Sequence, residues 1–378
     1  MKKVLFLLVL FIIPFNVFGE ELIINAESGI LIEPYSGRII YEKEKDKELS
    51  VASMTKMVAQ IIILEEIEKG KIKWDDVVTV SKNAANMGGS QIYLSEGEKI
   101  TVDDLMKGIS VASGNDATVA MAEYISGSEE KFVKRMNKKV KELGLKHTNF
   151  VNCTGLDEND HYSSSYDMAM IARELVVNHP LILKYSSIYE DYLREDTPNK
   201  FWLVNTNKLI SQYSGTDGLK TGHTDLAGYC LAATVKRNNL RLIGIVLGEK
   251  DSKTRNSETI DLLDYGFNNV KMRTLKKKNS VIKKINLDKS NKNSIKLILK
   301  EDLNVVEDIN SSDKYTYELE LKEVNLPVKK GEVLGRIIVK SKNKIMSSGE
   351  LISNSNIDKL SLIDLYKNNM INIITGNI

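Results

Sequence analysis

The chain has 378 residues, 42% of them hydrophobic, which is enough for two domains with buried cores. Its 53 Lys and Arg residues nearly balance its 51 Asp and Glu residues. This balance argues against a nucleic-acid-binding protein, because such proteins need a basic surplus to displace counterions. The four histidines form no close cluster with the two cysteines, so the sequence indicates no metal site.

The first 19 residues are typical of a secretory signal peptide. Lys2 and Lys3 precede an apolar run over 4–15, and residues of small or medium size occupy 17–19. The alternative is a retained membrane anchor, but the run is shorter than the ~20 residues that a membrane helix needs. We therefore expect cleavage near Gly19, and a mature protein exported to the cell wall or to the outer face of the cytoplasmic membrane.

Residues 20–270 alternate between helical and strand-like patterns, which predicts an α+β domain. Strands at 22–24 and 29–32 precede a turn, and 38–42 returns as the second arm of a hairpin. Two buried strands are predicted at 229–235 and 240–247. Helices are predicted over 54–69, 102–106, 117–125, 129–143, 167–178 and 257–267.

The composition changes after residue 270, and 271–355 is predicted to be a small all-β domain. Within it, 271–284 is basic and indicates a loop, 315–321 alternates as a half-buried strand does, and 335–339 is a further strand.

The remaining tail, 356–378, is predicted to hold an amphipathic helix over 357–374. Its apolar face would comprise Leu362, Leu365, Tyr366, Ile373 and Ile374. Such a face fits either a membrane surface or packing on the protein's own domain, and the sequence leaves both readings open.

The two cysteines occupy unlike settings. Cys153 lies in a polar loop and Cys230 in an apolar run. This difference predicts two free, buried thiols rather than a disulfide.

Ser53 and Lys56 open the first long apolar helix. One helical turn places both side chains on one face, where a neutral lysine can take the proton of the serine. The same spacing recurs at Ser128–Lys131, Ser280–Lys283, Ser311–Lys314 and Ser341–Lys344, where a helix cap and a solvated lysine suffice. Ser53 differs because a lysine one turn into a buried helix is costly without a task or a partner.

Two further short motifs carry polar side chains that suit a cleft. Ser113-Gly114-Asn115 links two predicted helices, although a simple helix cap would explain it as well. Lys220-Thr221-Gly222 precedes a strong strand and offers a charge, a hydroxyl and an open backbone to a substrate carboxylate. The plain alternative for the lysine is a position in a β-turn.

The order Ser-x-x-Lys, Ser-x-Asn, Lys-Thr-Gly resembles penicillin-binding proteins and class A β-lactamases. Residues around the three motifs, together with 149–156 and 161–164, resemble the D-alanyl-D-alanine carboxypeptidases, which are low-molecular-mass penicillin-binding proteins. The resemblance runs from about Ala26 to Phe267. It implies a β-lactamase/transpeptidase-like domain, with an antiparallel sheet flanked by helices, followed by a small all-β domain that matches only in outline.

The resemblance also implies a role for each motif residue. Ser53 would be the nucleophile, Lys56 the general base and Ser113 a proton relay. Asn115 would hold Lys56 and the substrate amide. The substrate carboxylate would be bound by Lys220, Thr221 and Gly222. The oxyanion hole would be formed by the backbone N–H groups of Ser53 and His223.

The implied substrate is the peptidoglycan pentapeptide, and β-lactams would be covalent inhibitors. No cofactor would be needed. Burial and the charge of Lys220 are both expected to lower the pKa of Lys56.

Four alternatives remain open from the sequence. A class A-like β-lactamase needs a carboxylate for deacylation, and Glu174 fits that element only loosely, in a predicted helix. A peptidoglycan endopeptidase would use the same residues, as would a weak transpeptidase. A non-catalytic wall-binding protein would not need the complete motif set.

Overall fold

A computed structural model describes residues 22–288, 290–361, 363, 364, 366, 370 and 374. The predicted signal peptide at 1–19 lies outside these residues. None of the helices in the described part is long and apolar enough to cross a membrane.

The described strands and helices alternate up to Asn269, and only strands are assigned from there to Ser353. The strands are β1 (Ser28–Glu33), β2 (Arg38–Lys43), β3 (Val77–Thr79), β4 (Lys99–Thr101), β5 (Glu190–Leu193), β6 (Phe201–Val204), β7 (Thr216–Thr224), β8 (Gly228–Arg237), β9 (Leu240–Glu249), β10 (Val270–Lys276), β11 (Val281–Asn286), β12 (Ser294–Leu299), β13 (Leu303–Asp308), β14 (Thr316–Leu321), β15 (Val333–Ser341) and β16 (Lys344–Ser353). The helices are a 3-10 helix (Ala52–Thr55), α1 (Lys56–Glu68), α2 (Lys82–Ala85), α3 (Val102–Val111), α4 (Asn115–Ser126), α5 (Glu129–Glu142), α6 (Ser165–Asn178), α7 (Ile182–Ser186), α8 (Leu209–Gln212) and α9 (Ser252–Asn269).

The main sheet, as far as the structure describes it, has the order β2-β1-β9-β8-β7 and is antiparallel throughout. β9 is buried along almost its whole length because α6 and α9 pack on it. The predicted hairpin forms as β1 and β2, but 22–24 is not a strand. The residues that follow it, Asn25 and Ala26, bond through their backbone N–H groups to the side chain of Glu258.

Helix α1 is the central helix of this domain. It packs against α4, α5 and α6, and its residues from Lys56 to Leu64 are all buried. A helix that is apolar on every side belongs in a core. The preceding turn is a 3-10 helix rather than α-helix, and it packs against the edge strand β7. This contact brings the start of α1 to the edge of the sheet.

The segment after Asn269 forms a five-stranded antiparallel sheet, β11-β12-β16-β15-β14, together with the pair β10-β13. The prediction of a loop over 271–284 is wrong, because this basic segment contains β10 and most of β11. Lys271, Lys283 and Lys284 are exposed, whereas Met272 and Ile282 pack inward. Because lysines occupy the exposed face of these strands, the segment was interpreted as a basic loop.

Strand β14 is not half-buried as predicted. All six of its residues are exposed because β14 is an edge strand and neither of its faces is covered. The α+β class and the following all-β segment are nevertheless as predicted.

The predicted tail helix begins later than expected. Ile357 is buried and forms a β-bridge with Val328, so it belongs to the β-rich segment. Within the predicted apolar face, Tyr366 and Ile374 are exposed. Leu362, Leu365 and Ile373 lie outside the described residues.

Candidate active site

Ser53 and Lys56 are paired where the 3-10 helix passes into α1. Lys56 Nζ donates a 2.6 Å hydrogen bond to Ser53 Oγ. Ser53 is half-buried and Lys56 is fully buried. Ala52, immediately before the serine, has φ 46°, a conformation that costs energy for a residue with a Cβ and that is enriched at functional sites. The predicted serine–lysine pair therefore exists.

The Ser-x-x-Lys sequence at Ser128 forms something different. Ser128 Oγ accepts a hydrogen bond from the backbone N–H of Lys131 and caps α5. The Lys131 side chain is exposed. This second pair is the ordinary cap that the spacing alone indicates.

The environment of Lys56 favours its neutral form. Burial lowers the pKa of Lys56 to about 7, although the neighbouring Cys153 and Asp116 raise it. Its ammonium group also donates a 2.7 Å hydrogen bond to the carbonyl oxygen of Thr154. A lysine with this pKa can accept a proton near neutral pH, which is what activation of Ser53 requires.

The Thr154 carbonyl is held by a tight loop that sequence reasoning did not assign to the site. Asn152 Oδ1 accepts hydrogen bonds from the backbone N–H groups of Thr154 and Gly155, at 3.2 and 2.7 Å. Gly155 has φ 84°, and an added Cβ there would overlap the carbonyl oxygen of Ala52. A backbone carbonyl leaves no side-chain signature, and the available signals were Gly155 and the resemblance of 149–156 to the carboxypeptidases.

Ser113 lies between α3 and α4 with φ 63°. Its hydroxyl accepts a 2.8 Å hydrogen bond from the buried Nζ of Lys220, on β7. Burial lowers the pKa of Lys220 well below its ordinary value, and the positive charges of Lys56 and Arg255 lower it further. The hydrogen bond from Lys220 to Ser113 directly links the Ser-x-Asn motif to the Lys-Thr-Gly motif. The predicted repulsion between the two lysines lowers the pKa of Lys220 and not, as expected, that of Lys56, which is lowered by burial.

Asn115 begins α4 but does not bond to Lys56. Its Nδ2 donates a 2.7 Å hydrogen bond to the Gly88 carbonyl, and its buried Oδ1 has no hydrogen-bond partner in the described part of the chain. The hydrogen bonds of Lys56 Nζ go to Ser53 and Thr154 instead. The expected contact between Asn115 and Lys56 is therefore absent from this structure. An unpartnered buried oxygen leaves an acceptor available to a ligand.

The remaining motif residues form the edge of the cleft on β7. Thr221 Oγ1 donates a 2.7 Å hydrogen bond to Thr206 Oγ1. Gly222 packs closely on the 3-10 helix, since an added Cβ would lie 2.5 Å from the Val51 carbonyl oxygen. The exposed side chain of His223 contacts Tyr229, with ring centroids 3.9 Å apart. The role of its backbone N–H stays a prediction.

Arg255 is a further cation that sequence reasoning missed. It lies in the first turn of α9, is buried, and bonds to the amide oxygen of Asn256 at 2.9 Å rather than to a carboxylate. Its charge contributes to the low pKa of Lys220. Arg255 therefore adds positive potential around Lys220, which adds to it only when its own amine is protonated.

The side chains of Glu174 and the two cysteines, which the sequence also singled out, form no hydrogen bond with the motif residues in the described part of the chain. Glu174 is in α6, accepts a hydrogen bond from Asn178 and lies 3.6 Å from His179. Cys153 and Cys230 are free and buried, as expected. Within the described ranges, no group of three or more acidic, His or Cys side chains could hold a metal.

A family model described as D-alanyl-D-alanine carboxypeptidase matches residues 17–251, the segment that contains all of these motifs. The chain belongs to this family. A second model, the C-terminal domain of penicillin-binding protein 5, matches residues 271–359. The predicted family, fold class and serine hydrolase activity are confirmed.

Individual relatives agree with the family models. The D-alanyl-D-alanine carboxypeptidase DacF of Bacillus subtilis is 45% identical over 93% of this chain and 90% of its own length. The crystal structure of penicillin-binding protein 5 from Haemophilus influenzae has a TM-score of 0.71 and 33% identity, and covers 89% of this chain and 98% of that one. Penicillin-binding protein D2 of Listeria monocytogenes, solved in its ampicillin-bound form, has a TM-score of 0.59 and 29% identity, and covers 65% and 99%.

Proposed function

We propose that the chain is an exported enzyme that removes the terminal D-alanine from peptidoglycan stem pentapeptides, with Ser53 as nucleophile and Lys56 as general base. The observation that carries this proposal is the hydrogen bond to Ser53 from a buried lysine whose pKa is lowered to about 7. A group with that pKa exchanges its proton readily at neutral pH.

Acylation begins when neutral Lys56 takes the proton from Ser53 Oγ. The oxygen attacks the carbonyl carbon between the last two D-alanines, and the carbonyl oxygen becomes an oxyanion. The backbone N–H groups of Ser53 and His223 stabilise that charge. Ser53 precedes the first turn of α1, where the helix dipole adds positive potential.

The leaving D-alanine needs a proton on its nitrogen as the peptide bond breaks. Ser113 delivers it, and the proton that Lys56 took from Ser53 replaces the one that Ser113 gave. Lys220 Nζ, 2.8 Å from Ser113 Oγ, holds that hydroxyl in position. Lys56, neutral again, then takes a proton from the water that attacks the acyl-enzyme carbonyl and gives it to Ser53 Oγ as the acyl bond breaks, which releases the shortened peptide.

Substrate binding uses the cations at the far end of the cleft. Lys220, Thr221 and the neighbouring Arg255 bind the terminal carboxylate, and Gly222 lets the ligand approach the edge of β7. Asn115 Oδ1, which is buried without a partner, accepts a hydrogen bond from the substrate amide. A bound substrate would therefore satisfy an atom that the free enzyme leaves unpaired.

β-Lactams would acylate the same serine and be released slowly. The ampicillin-bound relative supports this proposal. Rapid β-lactam turnover is not favoured, because Glu174 bonds to Asn178 in α6 rather than lying in a loop beside Ser53.

The proposed domain plan places the signal peptide at 1–19, the catalytic domain at 20–270, the β-rich domain at 271–355 and the tail at 356–378. The two family models support a boundary between 251 and 271. The exposed Tyr366 and Ile374 would suit contact of the tail with a membrane surface.

The test is D-alanine release from diacyl-Lys-D-Ala-D-Ala. We expect Ser53→Ala to abolish release, and Ser128→Ala, which alters the matched helix cap, to leave it unchanged. Release by Ser53→Ala at the wild-type rate would disprove the assignment of the nucleophile. No release by folded wild-type protein would disprove the proposed reaction.

A further inference from the structure

His161 is a buried histidine that the proposed mechanism does not use. It is 6% exposed, and its ring lies against that of Phe150, with centroids 5.2 Å apart. The backbone of the two residues that follow it pairs with Asn149 and Leu49. The imidazole is therefore held from a fixed stretch of backbone, and its hydrogen bonds are made in the core.

The hydrogen bonds of this ring define which nitrogen carries the proton. The backbone N–H of Val151 lies 3.3 Å from His161 Nδ1, and a backbone N–H can only donate. Nδ1 is therefore an unprotonated acceptor, and the proton of the neutral ring is on Nε2. Nε2 donates it to Thr55 Oγ1, 2.8 Å away. Burial lowers the pKa of His161 to about 4, although Asp157 raises it, so the ring is neutral at physiological pH.

The two partners of the ring belong to the two segments that hold the Lys56 amine. Thr55 is fully buried, ends the 3-10 helix that carries Ser53, and directly precedes Lys56. Val151 directly precedes the loop over 152–156, whose Thr154 carbonyl accepts the second hydrogen bond of Lys56. The imidazole therefore connects the segment of one Lys56 acceptor to the segment of the other.

The spacing of these segments controls the surroundings of the Lys56 amine. Lys56 Nζ lies 2.6 Å from one acceptor and 2.7 Å from the other. Cys153 in the loop and Asp116 in α4 raise the pKa of Lys56, but burial lowers it more. The neighbouring Lys220, on β7, has its own pKa lowered by the charge of Lys56. A gap between the segments would admit water, weaken the effect of burial and raise the pKa of Lys56.

We propose that His161 is a positioning residue for the general base, because it holds the 3-10 helix against the loop over 152–156 and so keeps both acceptors of Lys56 in place. This proposal rests on the proposed role of Lys56. A neutral imidazole suits the task, since it donates on one side and accepts on the other without adding a charge. A protonated ring could not accept the hydrogen bond from Val151.

The experiment measures the second-order rate constant of benzylpenicillin acylation between pH 5 and 9. His161→Leu removes both hydrogen bonds of the ring. We expect the midpoint of its pH profile to rise by about one pH unit, because water reaches Lys56, and the plateau to fall about tenfold. Thr55→Val, which removes the acceptor of Nε2, should cause the same two changes. Thr55→Ser, which keeps the hydroxyl, should cause neither.

The matched control is His179→Leu. His179 is 5% exposed, and its Nδ1 lies 2.9 Å from the carboxylate of Glu68. Glu68 ends α1, about 18 Å along the helix from Lys56. We expect His179→Leu to lower the unfolding temperature, as His161→Leu does, and to leave the midpoint and the plateau of acylation unchanged. The control thus separates the loss of a buried histidine from the loss of the link at Lys56.

An unchanged midpoint for His161→Leu or Thr55→Val would overturn the proposal, and so would a shifted midpoint for His179→Leu or Thr55→Ser. Thr55→Val decides the question if His161→Leu does not fold. Wild-type protein whose acylation is absent or independent of pH would overturn the proposed role of Lys56 itself, and this proposal with it.

Discussion

Lys56 owes its chemistry to its position in the core. Its ammonium group is enclosed at the start of α1, where two neutral oxygens, Ser53 Oγ and Thr154 O, accept its hydrogen bonds. Among the residues that the structure describes, no carboxylate bonds to it, so desolvation outweighs the opposing effects of Cys153 and Asp116, and the pKa falls to about 7. A solvated lysine would stay protonated at neutral pH and could not take a proton.

The rate of acylation should therefore depend on pH. Because only neutral Lys56 acts as a base, the second-order rate constant for benzylpenicillin acylation should rise through about pH 7 and level off above it. Lys56→Ala should lower the plateau by about 10²- to 10⁴-fold. Lys131→Ala, which alters the solvated lysine of the matched Ser-x-x-Lys pair, should not change the profile. A wild-type profile that is flat between pH 5 and 9 would show that Lys56 is not the base.

At this scale, the residues that carry reactive side chains could be predicted, and those that act through the backbone or through tertiary packing could not. Ser53, Lys56, Ser113 and Lys220 are recognisable because their motifs occur in one order along the chain. The Thr154 carbonyl has no side-chain signature, and the resemblance of 149–156 gave it no role. Arg255 comes near the cleft only because α9 packs on β8 and β9.

At the scale of elements, the loop over 152–156 is as important to the geometry around Lys56 as the 3-10 helix that carries Ser53. Its turn aims the Thr154 carbonyl at Lys56, and the Asn152 side chain holds that turn with three hydrogen bonds to its backbone. Gly155 lets the loop contact the backbone of Ala52 directly. A displacement of this loop would move the carbonyl oxygen that accepts the hydrogen bond of Lys56.

A glycine pair tests this dependence. Gly155→Ala should destabilise the fold by about 1–3 kcal/mol and slow acylation about a hundredfold, because the new Cβ displaces the loop from Ala52. Gly144→Ala is the matched control, since Gly144 also has positive φ but has open space around it. Its cost should be limited to about 1 kcal/mol, with acylation unchanged. Thermal unfolding and penicillin acylation measure both effects. Similar acylation by the two variants would contradict this role of the loop.

Elements with strong apolar patterns could be predicted, and surface strands could not. Helix α1 and strands β8 and β9 are buried on several sides, so their composition reveals them. Strand β11 has lysines on its exposed face, which made it resemble a loop. Polar and apolar residues alternate regularly in strand β14. Whether one face of that strand is buried depends on whether another layer covers it, and a local sequence pattern does not show this.

At the scale of the whole molecule, a pair of carboxyl groups ties the first described residues to the sheet and to α9. Burial raises the pKa of Glu249 to about 7, and the neighbouring Glu258 raises it further. Hydrogen bonds from Glu249, Asn25 and Ala26 lower the pKa of Glu258 despite its burial. Glu249 therefore keeps its proton and donates it to Glu258 up to about neutral pH. Asp251, at the start of α9, adds to the negative charge.

This pair should make global stability depend on pH. Between the unfolded pKa of a glutamate, ~4.3, and about 7, the folded chain holds a proton on Glu249 that the unfolded chain has lost, so stability falls as pH rises through this window. Glu249→Gln removes this decline, and its gain in unfolding temperature over the wild type should be larger at pH 8 than at pH 5. Glu301→Gln, at an exposed glutamate, is the control. A difference independent of pH would contradict the shared proton.

The central claim is that Ser53 is the acylated nucleophile of a D-Ala-D-Ala carboxypeptidase. The most direct measurement is mass spectrometry of the mature protein after incubation with benzylpenicillin, with peptide mapping of the adduct. We expect one penicilloyl group on the peptide that contains Ser53, and none on Ser53→Ala. An adduct on another serine, or no adduct on folded wild-type protein, would contradict the claim.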